Sequence, residues 1–345
     1  MGCSPAPQHI GTPDPKGHHR LRPPTFGRHM RVTIVIPCYN VEPFAERCFA
    51  GLFAQTHTGL DIIAVDDGST DGTAALLKDL AARSPFPLQV ITQQNKGACA
   101  ARNTGLHKAT GTYIQFMDAD DALLPQKIAH QLALAERNAL PDLIVGSVHT
   151  YRADGSLRET DVQHNERRDP WLDLMKHRMG GTPGNLWKRS AVEAVGGWNE
   201  AMASSQEYEL MFRLLCNGVQ PLFDPEVLTH VHLRASGSVS TSNMDKAWVR
   251  FIELRARIIA HLAHAQPALH LQPHRQVLFD SIRTLYAYAP EEATTLYRRL
   301  LPRSFKPEVS SATGRGYLAL HRAFGFALAN RLRQLLSRSA GKGHT

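Results

Sequence analysis

Apolar runs that suit buried strands alternate with segments of helical periodicity in the first third of the chain. Each run is short, rich in β-branched residues and followed by a polar turn, as expected for the interior strands of a parallel sheet. The repeated strand–helix order predicts a parallel sheet wound with right-handed crossovers. The predicted strands cover residues 32–36, 62–65, 88–91 and 113–117, and two of the helices between them cover residues 42–55 and 98–108.

The pattern changes in the remainder of the chain. A further strand is predicted at residues 143–145, a polar loop at 149–169 and a helix that opens near residue 204. Beyond residue 244, apolar positions recur at helical spacing, so this end of the chain is predicted to be helical. The predicted organisation is a disordered leader over residues 1–30, an α/β domain over 31–243 and a helical region over 244–345, whose helices cover 248–264, 275–287, 291–301 and 315–337.

Three acidic residues, Asp118, Asp120 and Asp121, come directly after the apolar run at 113–117. Because a buried strand cannot carry three carboxylates, they must lie where the strand emerges at its C-terminal edge, which is where open α/β sheets bind ligands. Clustered carboxylate oxygens suit Mg²⁺ or Mn²⁺ bound together with a phosphate-containing substrate. The alternative is a polar turn in which Asp120 or Asp121 caps the next helix.

The turn after the first predicted strand contains no glycine. It consists of Pro37-Cys-Tyr-Asn40, whereas a dinucleotide-binding fold needs GxGxxG and a P-loop needs GxxxxGK[ST]. Both glycine-rich phosphate cradles are therefore excluded. A metal ion at Asp118 and Asp120 is the remaining way to hold a pyrophosphate at this edge of the sheet.

Composition narrows the class of partner only slightly. The 345 residues carry a net charge of +8, which favours anionic partners. The sequence contains no basic stretch interleaved with aromatic residues, which is the pattern typical of nucleic acid binding. Nucleic acid is therefore not an expected partner. Five scattered cysteines without a CxxC pair indicate reduced thiols and a cytoplasmic location. No apolar run reaches the roughly 18 residues of a membrane span.

Four motifs taken together resemble family-two glycosyltransferases. They are VTIVIPCYN at 32–40, VDDGSTDG at 65–72, NKG with ARNTG at 95–105, and MDADD at 117–121. The resemblance covers residues 31–240 and implies the GT-A fold, an α/β fold with a mostly parallel central sheet, flanking helices and a Rossmann-like nucleotide-binding half. It implies that residues 31–125 bind a nucleotide-sugar and that residues 126–243 form the acceptor side.

The resemblance assigns donor-binding roles to residues near the ends of the first three strands. It implies that Pro37, Tyr39 and Asp67 hold the base and ribose, with Tyr39 offering its ring to the base. Asn40 would order the loop beside them, and Arg102 would lie near the pyrophosphate. The implied co-substrate is a nucleotide-sugar, with a UDP-sugar expected. Two of these residues also have purely structural alternatives. Asp67 is compatible with an acidic residue in a turn, and Arg102 with a residue on the solvated face of a helix.

The resemblance also implies a metal site for Mn²⁺ or Mg²⁺. Asp120 would ligate the metal directly, and Asp118 would contact the ribose or the metal's water shell. His232 would complete the metal shell or contact phosphate, with Arg234 as an anion clamp. In a chain with 18 histidines, His232 is equally compatible with an ordinary surface position.

Glu207 is the residue that the resemblance implies as general base. The family usually places Glu-Asp here, whereas this chain has Gln206-Glu207, which keeps a carboxylate with one extra methylene. The implied reaction is metal-assisted transfer of one sugar, with inversion, to a hydroxyl of a glycan, lipid-linked or protein acceptor in glycan or surface polysaccharide biosynthesis. The alternatives are a nucleotidyltransferase and a catalytically degenerate nucleotide- or glycan-binding module.

The last predicted helix is basic and amphipathic. Its apolar stripe contains Leu320, Phe324, Leu328, Leu332 and Leu335, with arginines elsewhere on the helix. Such a helix over residues 315–338 can lie on the inner, anionic face of a membrane as a peripheral contact. The alternative is an ordinary helix that packs on the catalytic domain.

Overall fold

A computed structural model describes residues 30–164, 168–234 and 244–340, without the side chains of residues 244, 245 and 337–340. Most of the predicted leader lies outside these residues. The strands are β1 (Val32–Cys38), β2 (Leu60–Asp66), β3 (Leu88–Thr92), β4 (Tyr113–Phe116), β5 (Ala122–Leu123), β6 (Leu143–Tyr151), β7 (Leu157–Asp161), β8 (Leu186–Lys188) and β9 (Pro221–His232). The helices are α1 (Glu42–Phe53), α2 (Thr73–Arg83), α3 (Ala98–Lys108), α4 (Lys127–Arg137), α5 (Pro170–Met175), α6 (Arg189–Ala194), α7 (Gln206–Cys216), α8 (Met244–Ala265), α9 (Gln272–Tyr286), α10 (Pro290–Leu300) and α11 (Arg315–Ala340).

The first four strands form the parallel half of a sheet that has nine strands within the described residues. Their order is β3-β2-β1-β4, and α1, α2 and α3 connect them, so the predicted alternation is confirmed. Six of the seven residues of β1 are buried, which explains its nearly continuous apolar sequence. Because β1, β2, β3 and β4 are mutually parallel, the polar turns after them lie at one edge.

The second half of the sheet is mixed. Strand β8 is antiparallel to β4 and β6, β9 is parallel to β6, and β5 is antiparallel to β9. The prediction of a loop over residues 149–169 was wrong, since β6 extends to Tyr151 and β7 pairs with it, placing Val148 opposite Asp161. Four of the five residues of β7 are exposed, so its sequence lacks the alternation that predicts a strand.

The C-terminal helices share a hydrophobic core with the sheet. One cluster of buried residues contains Phe116 of β4, Leu210 of α7, Ile252 of α8, Phe279 of α9 and Phe326 of α11. The predicted helical C-terminal region is therefore confirmed, and it packs against the same part of the sheet as α7. No helix in the described ranges has both the length and the apolar character needed to cross a bilayer.

The final helix is broken at its centre. Gly325 has φ 74° and ψ −179°, outside the helical region, and this left-handed φ favours glycine. The predicted stripe is not the packed face: Tyr317 and Phe326 are buried, whereas Phe324 and Leu328 are 53% and 44% exposed. The helix therefore packs on the preceding domain, as the second alternative predicts, but chiefly through residues outside the predicted stripe.

Candidate active site

The turns after β1 and β2 are joined to each other at the polar edge of the sheet. Asn40 lies in the left-handed region, with φ 49°. Its side-chain oxygen accepts a hydrogen bond from the backbone N–H of Thr70 at 2.8 Å, and its own N–H donates to the hydroxyl of Ser69 at 3.1 Å. Tyr39 beside it is 47% exposed, and Pro37 is partly exposed. A strained residue thus fixes a turn that leaves an aromatic ring available.

Asp67 is buried and fully engaged with the loop after β3. Its carboxylate accepts hydrogen bonds from the backbone N–H groups of Lys96 at 3.0 Å and Gly97 at 2.8 Å, and from the side chain of Gln93 at 2.8 Å. Gly97 has φ 89°, which a side chain would disfavour. In this structure Asp67 therefore positions the loop that begins α3, beside the turn that carries Tyr39.

Arg102 is buried, so the alternative of a solvated helix position is wrong. Its guanidinium donates to Asp118 Oδ1 at 2.6 Å and to Gln206 Oε1 at 2.9 Å, and it lies 4.6 Å from the ring centroid of Trp198. Its Nε is buried without a partner among the described residues. Arg102 thus links the end of β4 to the first turn of α7, and this linkage joins the two halves of the candidate site.

The three acids after β4 have different partners. Asp118 pairs with Arg102, and Asp120 accepts from Nε of Arg234 at 2.6 Å. Asp121 accepts a hydrogen bond from the backbone N–H of His232 at 2.8 Å. The capping alternative is wrong, because the next helix, α4, begins at Lys127 and has no side-chain cap.

Burial and mutual repulsion raise the pKa values of two of these acids. Burial first, and then the charge of Asp118, raise the pKa of Asp120, while Arg234 lowers it. The pKa of Asp121 lies well above its usual value because of burial and the charges of Asp118 and Asp120. A bound cation would relieve the repulsion between these carboxylates.

The residues fit a divalent cation held jointly with a diphosphate. Among the described residues, no three His, Cys, Asp or Glu side chains are placed to hold a metal ion by themselves. Mg²⁺-type cations are commonly held by one or two carboxylates together with substrate phosphates. Asp120, whose side chain is 18% exposed and paired with Arg234, would supply such a carboxylate. His232 lies beside Asp121 with its ring stacked on Tyr151.

Glu207 lies in the first turn of α7, next to the residue that Arg102 contacts. Burial raises the pKa of Glu207, Arg102 lowers it and Asp118 raises it, so the three charges interact. Ser205, immediately before the helix, has φ 56°, a strained conformation that directs the first turn of α7. Glu209 instead pairs with Arg213 at 2.8 Å, as its i,i+4 spacing predicts.

Sequence reasoning missed how three residues support this cluster. Gln206 accepts from Arg102, Trp198 lies under the Arg102 guanidinium, and Arg234 stacks 4.5 Å from the ring centroid of Phe44. The sequence resemblance placed Gln206 and Arg234 near the site but gave no role to Trp198 or Phe44. It also does not say which side chains pair, because pairing depends on long-range packing. Gln206 stands where the family usually has an acidic residue, and this difference was the available indication of its pairing, since a side-chain amide can accept a hydrogen bond from a guanidinium.

Comparison with known proteins identifies the domain. Residues 33–195 match the profile of glycosyl transferase family 2. The chain is 42% identical over 109 residues to the uncharacterised glycosyltransferase EpsJ of Bacillus subtilis, covering 32% of this chain and 31% of EpsJ. It is 35% identical over 167 residues to the uncharacterised glycosyltransferase YibD of Escherichia coli, covering 48% and 44%. The matches therefore span less than half of these relatives.

Solved structures of glycosyltransferases share the fold. Staphylococcus aureus TarS 1–349 in complex with UDP-GlcNAc aligns with a TM-score of 0.59 at 17% identity, covering 77% of this chain and 76% of that one. The mannosyltransferase PcManGT of Pyrobaculum calidifontis, in complex with GDP-Man and Mn²⁺, aligns with a TM-score of 0.51 at 20% identity, covering 92% and 81%. Residues 33–195 thus match glycosyl transferase family 2, and the chain has the GT-A fold.

Proposed function

We propose that this protein is an inverting glycosyltransferase that moves one sugar from a nucleotide-sugar to a hydroxyl acceptor. The observation that carries the proposal is the Arg102 linkage, which joins Asp118 on the donor side to the turn that bears Glu207. A diphosphate site and a candidate base are thereby held together by one buried guanidinium. Inversion at the anomeric carbon is proposed from the family resemblance and from the assignment of one candidate base, Glu207. An inverting transfer needs no second carboxylate to act as nucleophile.

The donor lies over the turns after β1 and β2. Tyr39 stacks on the base, Pro37 and Asp67 flank the base and ribose, and Asn40 holds the turn in place. A UDP-sugar is the proposed donor, supported by the UDP-GlcNAc bound to TarS, while the GDP-Man bound to PcManGT makes a GDP-sugar the second donor to test.

Asp120 and His232 would hold a Mn²⁺ or Mg²⁺ ion together with the donor diphosphate. When bound, the ion supplies positive charge that stabilises the leaving nucleoside diphosphate. Asp118 orients Arg102 toward the diphosphate, and Arg234 is the second guanidinium available to it. The Mn²⁺ bound with GDP-Man in PcManGT supports this proposal.

Glu207 removes the proton from the acceptor hydroxyl. The acceptor oxygen then forms a bond to the anomeric carbon while the bond from that carbon to the phosphate oxygen breaks, and the nucleoside diphosphate leaves with the electron pair. The raised pKa of Glu207 suits a base, because a carboxylate that holds its proton more strongly also takes one more readily. The acceptor is a glycan, a lipid-linked glycan or a protein in glycan or surface polysaccharide biosynthesis, and the proposed location is the cytoplasm.

Two alternatives are less well supported. A nucleotidyltransferase normally needs a glycine-rich loop after its first strand, and β1 leads into Pro37-Cys-Tyr-Asn40. A degenerate binding module would have no need of a carboxylate at residue 207, yet Glu207 lies among the charges of Arg102 and Asp118.

The proposed function is tested by nucleotide-sugar turnover. The full chain is incubated with UDP-GlcNAc, UDP-glucose or GDP-mannose, with and without Mn²⁺, and released nucleoside diphosphate is measured. We expect one donor to give cation-dependent release by slow transfer to water, accelerated by a suitable acceptor. Binding of the nucleotides without any release, with every donor and a broad set of glycan acceptors, would instead identify a binding module.

We further propose that α11 makes a peripheral contact with an anionic membrane. Leu328 and Leu335 are 44% and 56% exposed, and the two exposed arginines Arg331 and Arg333 lie between them. No Asp or Glu occurs after Glu308, whereas that segment carries five arginines and one lysine. Exposed leucines with unopposed positive charge match the chemistry of an anionic lipid surface.

The membrane contact is tested by co-sedimentation of the full chain with vesicles. We expect binding to phosphatidylglycerol-containing vesicles and little binding to phosphatidylcholine alone. Changing both Arg331 and Arg333 to glutamine should weaken binding about 30-fold, at about 1 kcal/mol for each basic residue. The matched control is Val309→Gln, at an exposed apolar position outside α11. Equal binding by the arginine variant, or dimer formation in place of vesicle binding, would refute the contact.

A further inference from the structure

An aromatic patch lies beside the candidate base, formed by His177, Tyr208, Trp248 and Phe251. The ring of His177 is 4.6 Å from that of Tyr208 and 3.7 Å from that of Phe251, with interplanar angles near 30°. Trp248 adjoins Phe251, with centroids 6.1 Å apart. Three separate parts of the chain supply these rings, namely the turn after α5, the first turn of α7 and α8.

The patch retains solvent-accessible surface. His177 is exposed, and the other three residues are partly exposed. His177 also has φ 60°, a left-handed conformation that costs energy outside glycine and tends to persist at functional sites. Although the residue as a whole is exposed, its ring packs against Tyr208 and Phe251. This desolvation, and then the charge of Arg255, lower the pKa of His177 to about 2, so the ring is neutral.

The patch is continuous with the proposed active site. Tyr208 comes directly after Glu207, and its hydroxyl donates to the backbone oxygen of Gly180 at 3.3 Å. Arg250 of α8 donates to the hydroxyl of Ser204 at 2.8 Å, in the turn before the base. The C-terminal helix α8 is therefore fixed to the turn that positions Glu207.

We propose that this patch is the acceptor subsite and that it binds a carbohydrate ring by stacking. A pyranose presents a face of C–H groups that packs on an aromatic ring, while its hydroxyls point outward to polar groups. The patch supplies the rings. Polar groups near it are supplied by Arg250, Ser204 and Asp161, and the carboxylate of Asp161 interacts electrostatically with Tyr208. The inference rests on the proposed function, because it places the acceptor hydroxyl beside Glu207.

A carbohydrate fits this patch better than an acyl chain does. An acyl chain needs a continuous apolar groove, whereas these four rings are bordered by charged and hydroxyl-bearing side chains. Because the rings of His177 and Phe251 pack against each other, loss of either ring removes stacking surface or displaces the other ring, so each substitution should measurably weaken sugar binding. The subsite would make the acceptor a glycan or a glycan-bearing lipid.

The subsite is tested with saccharides in the absence of donor. Saturation-transfer NMR and titration use methyl glycosides of neutral disaccharides ending in glucose, galactose, mannose or N-acetylglucosamine, with octyl phosphate as the apolar counter-probe. We expect at least one disaccharide to bind with contacts to one ring face. His177→Ala and Phe251→Leu should each weaken that binding about tenfold, which corresponds to about 1.4 kcal/mol.

Tyr288→Ala is the matched control, since Tyr288 is an exposed aromatic residue outside the patch. Thermal unfolding of each variant within a few degrees of wild type, with unchanged nucleotide-sugar binding, establishes that the fold is intact. If either patch variant unfolds, the binding measurement is repeated with His177→Gln. The inference is overturned if no disaccharide binds, if binding is unaffected by the patch variants, or if only octyl phosphate depends on the patch. Failure of nucleotide-sugar binding in wild type would instead refute the proposed function.

Discussion

Replacement of Glu207 by glutamine should lower the rate of sugar transfer by about 10²- to 10⁴-fold, the usual contribution of a general base. Glutamine has nearly the same size but cannot accept the acceptor's proton. The neighbouring contact of Arg102 with Gln206 does not involve the Glu207 side chain. Donor affinity should therefore stay within about twofold of wild type.

The pH dependence of wild-type transfer provides a second signature of the same residue. Because burial raises the pKa of Glu207, its carboxyl group retains a proton at pH values where an ordinary glutamate is ionised. The base is active only when deprotonated, so kcat should fall as pH decreases through this raised pKa and reach a plateau above it. Glu207→Gln should lose this limb of the profile.

The measurement is single-turnover transfer monitored across pH, together with calorimetric donor binding. Glu193→Gln is the matched control, because Glu193 is an exposed helical glutamate paired with Arg189 outside the cluster. Transfer by Glu207→Gln at the wild-type rate would show that another group acts as base. Loss of donor binding in that variant would show that Glu207 acts on the donor instead.

The parallel half of the sheet was predictable because three of its four strands, β1, β2 and β4, are buried on both faces. Such strands carry continuous apolar runs, and polar turns mark their ends, so the order of elements was enough to predict the edge that carries Asp67 and Asp118. Strand β7 was not predictable, since its solvated residues 157–161 lack any apolar alternation. It exists because its backbone pairs with β6.

Within the site, residue types and approximate positions were predictable, but packing determined the partners. Arg102 looked equally suited to a solvated helix face, and it is the Trp198 ring and Asp118 that hold it inside. Asp121 looked like a helix cap, yet its carboxylate binds the backbone of His232, 111 residues away. Contacts across such separations leave no local pattern in the sequence.

The orientation of α11 shows the same limitation. Helical periodicity predicts one apolar stripe, but Gly325 breaks the helix and changes the direction of its second half. The face that packs therefore contains Tyr317 and Phe326, and Leu328 and Leu335 of the predicted stripe remain exposed.

The second large effect is expected at Asp120, whose carboxylate is proposed to hold the cation that binds with the donor diphosphate. Asp120→Asn removes the negative charge but keeps the side-chain volume and a hydrogen-bond acceptor for Arg234. Nucleoside diphosphate binding should consequently lose its dependence on Mn²⁺. Sugar transfer should fall about 10³-fold, since several kcal/mol of charge stabilisation in the transition state would be lost.

Asp79→Asn is the control, because Asp79 is an exposed acid on α2 paired with Arg83. It should bind nucleotide and Mn²⁺ as the wild-type protein does. The Asp120 variant should unfold at nearly the wild-type temperature in the absence of ligands, so that a change in binding reports on the site and not on the fold.

The central claim is that the acids after β4 bind a cation and a nucleoside diphosphate as one unit. Calorimetric titration of UDP and GDP into wild type and Asp120→Asn, each with and without Mn²⁺, tests it most directly. In wild type, we expect Mn²⁺ to tighten binding of one nucleotide at least about tenfold, or about 1.4 kcal/mol, and in Asp120→Asn to have no effect. Wild-type Mn²⁺ dependence in the Asp120 variant would contradict the claim.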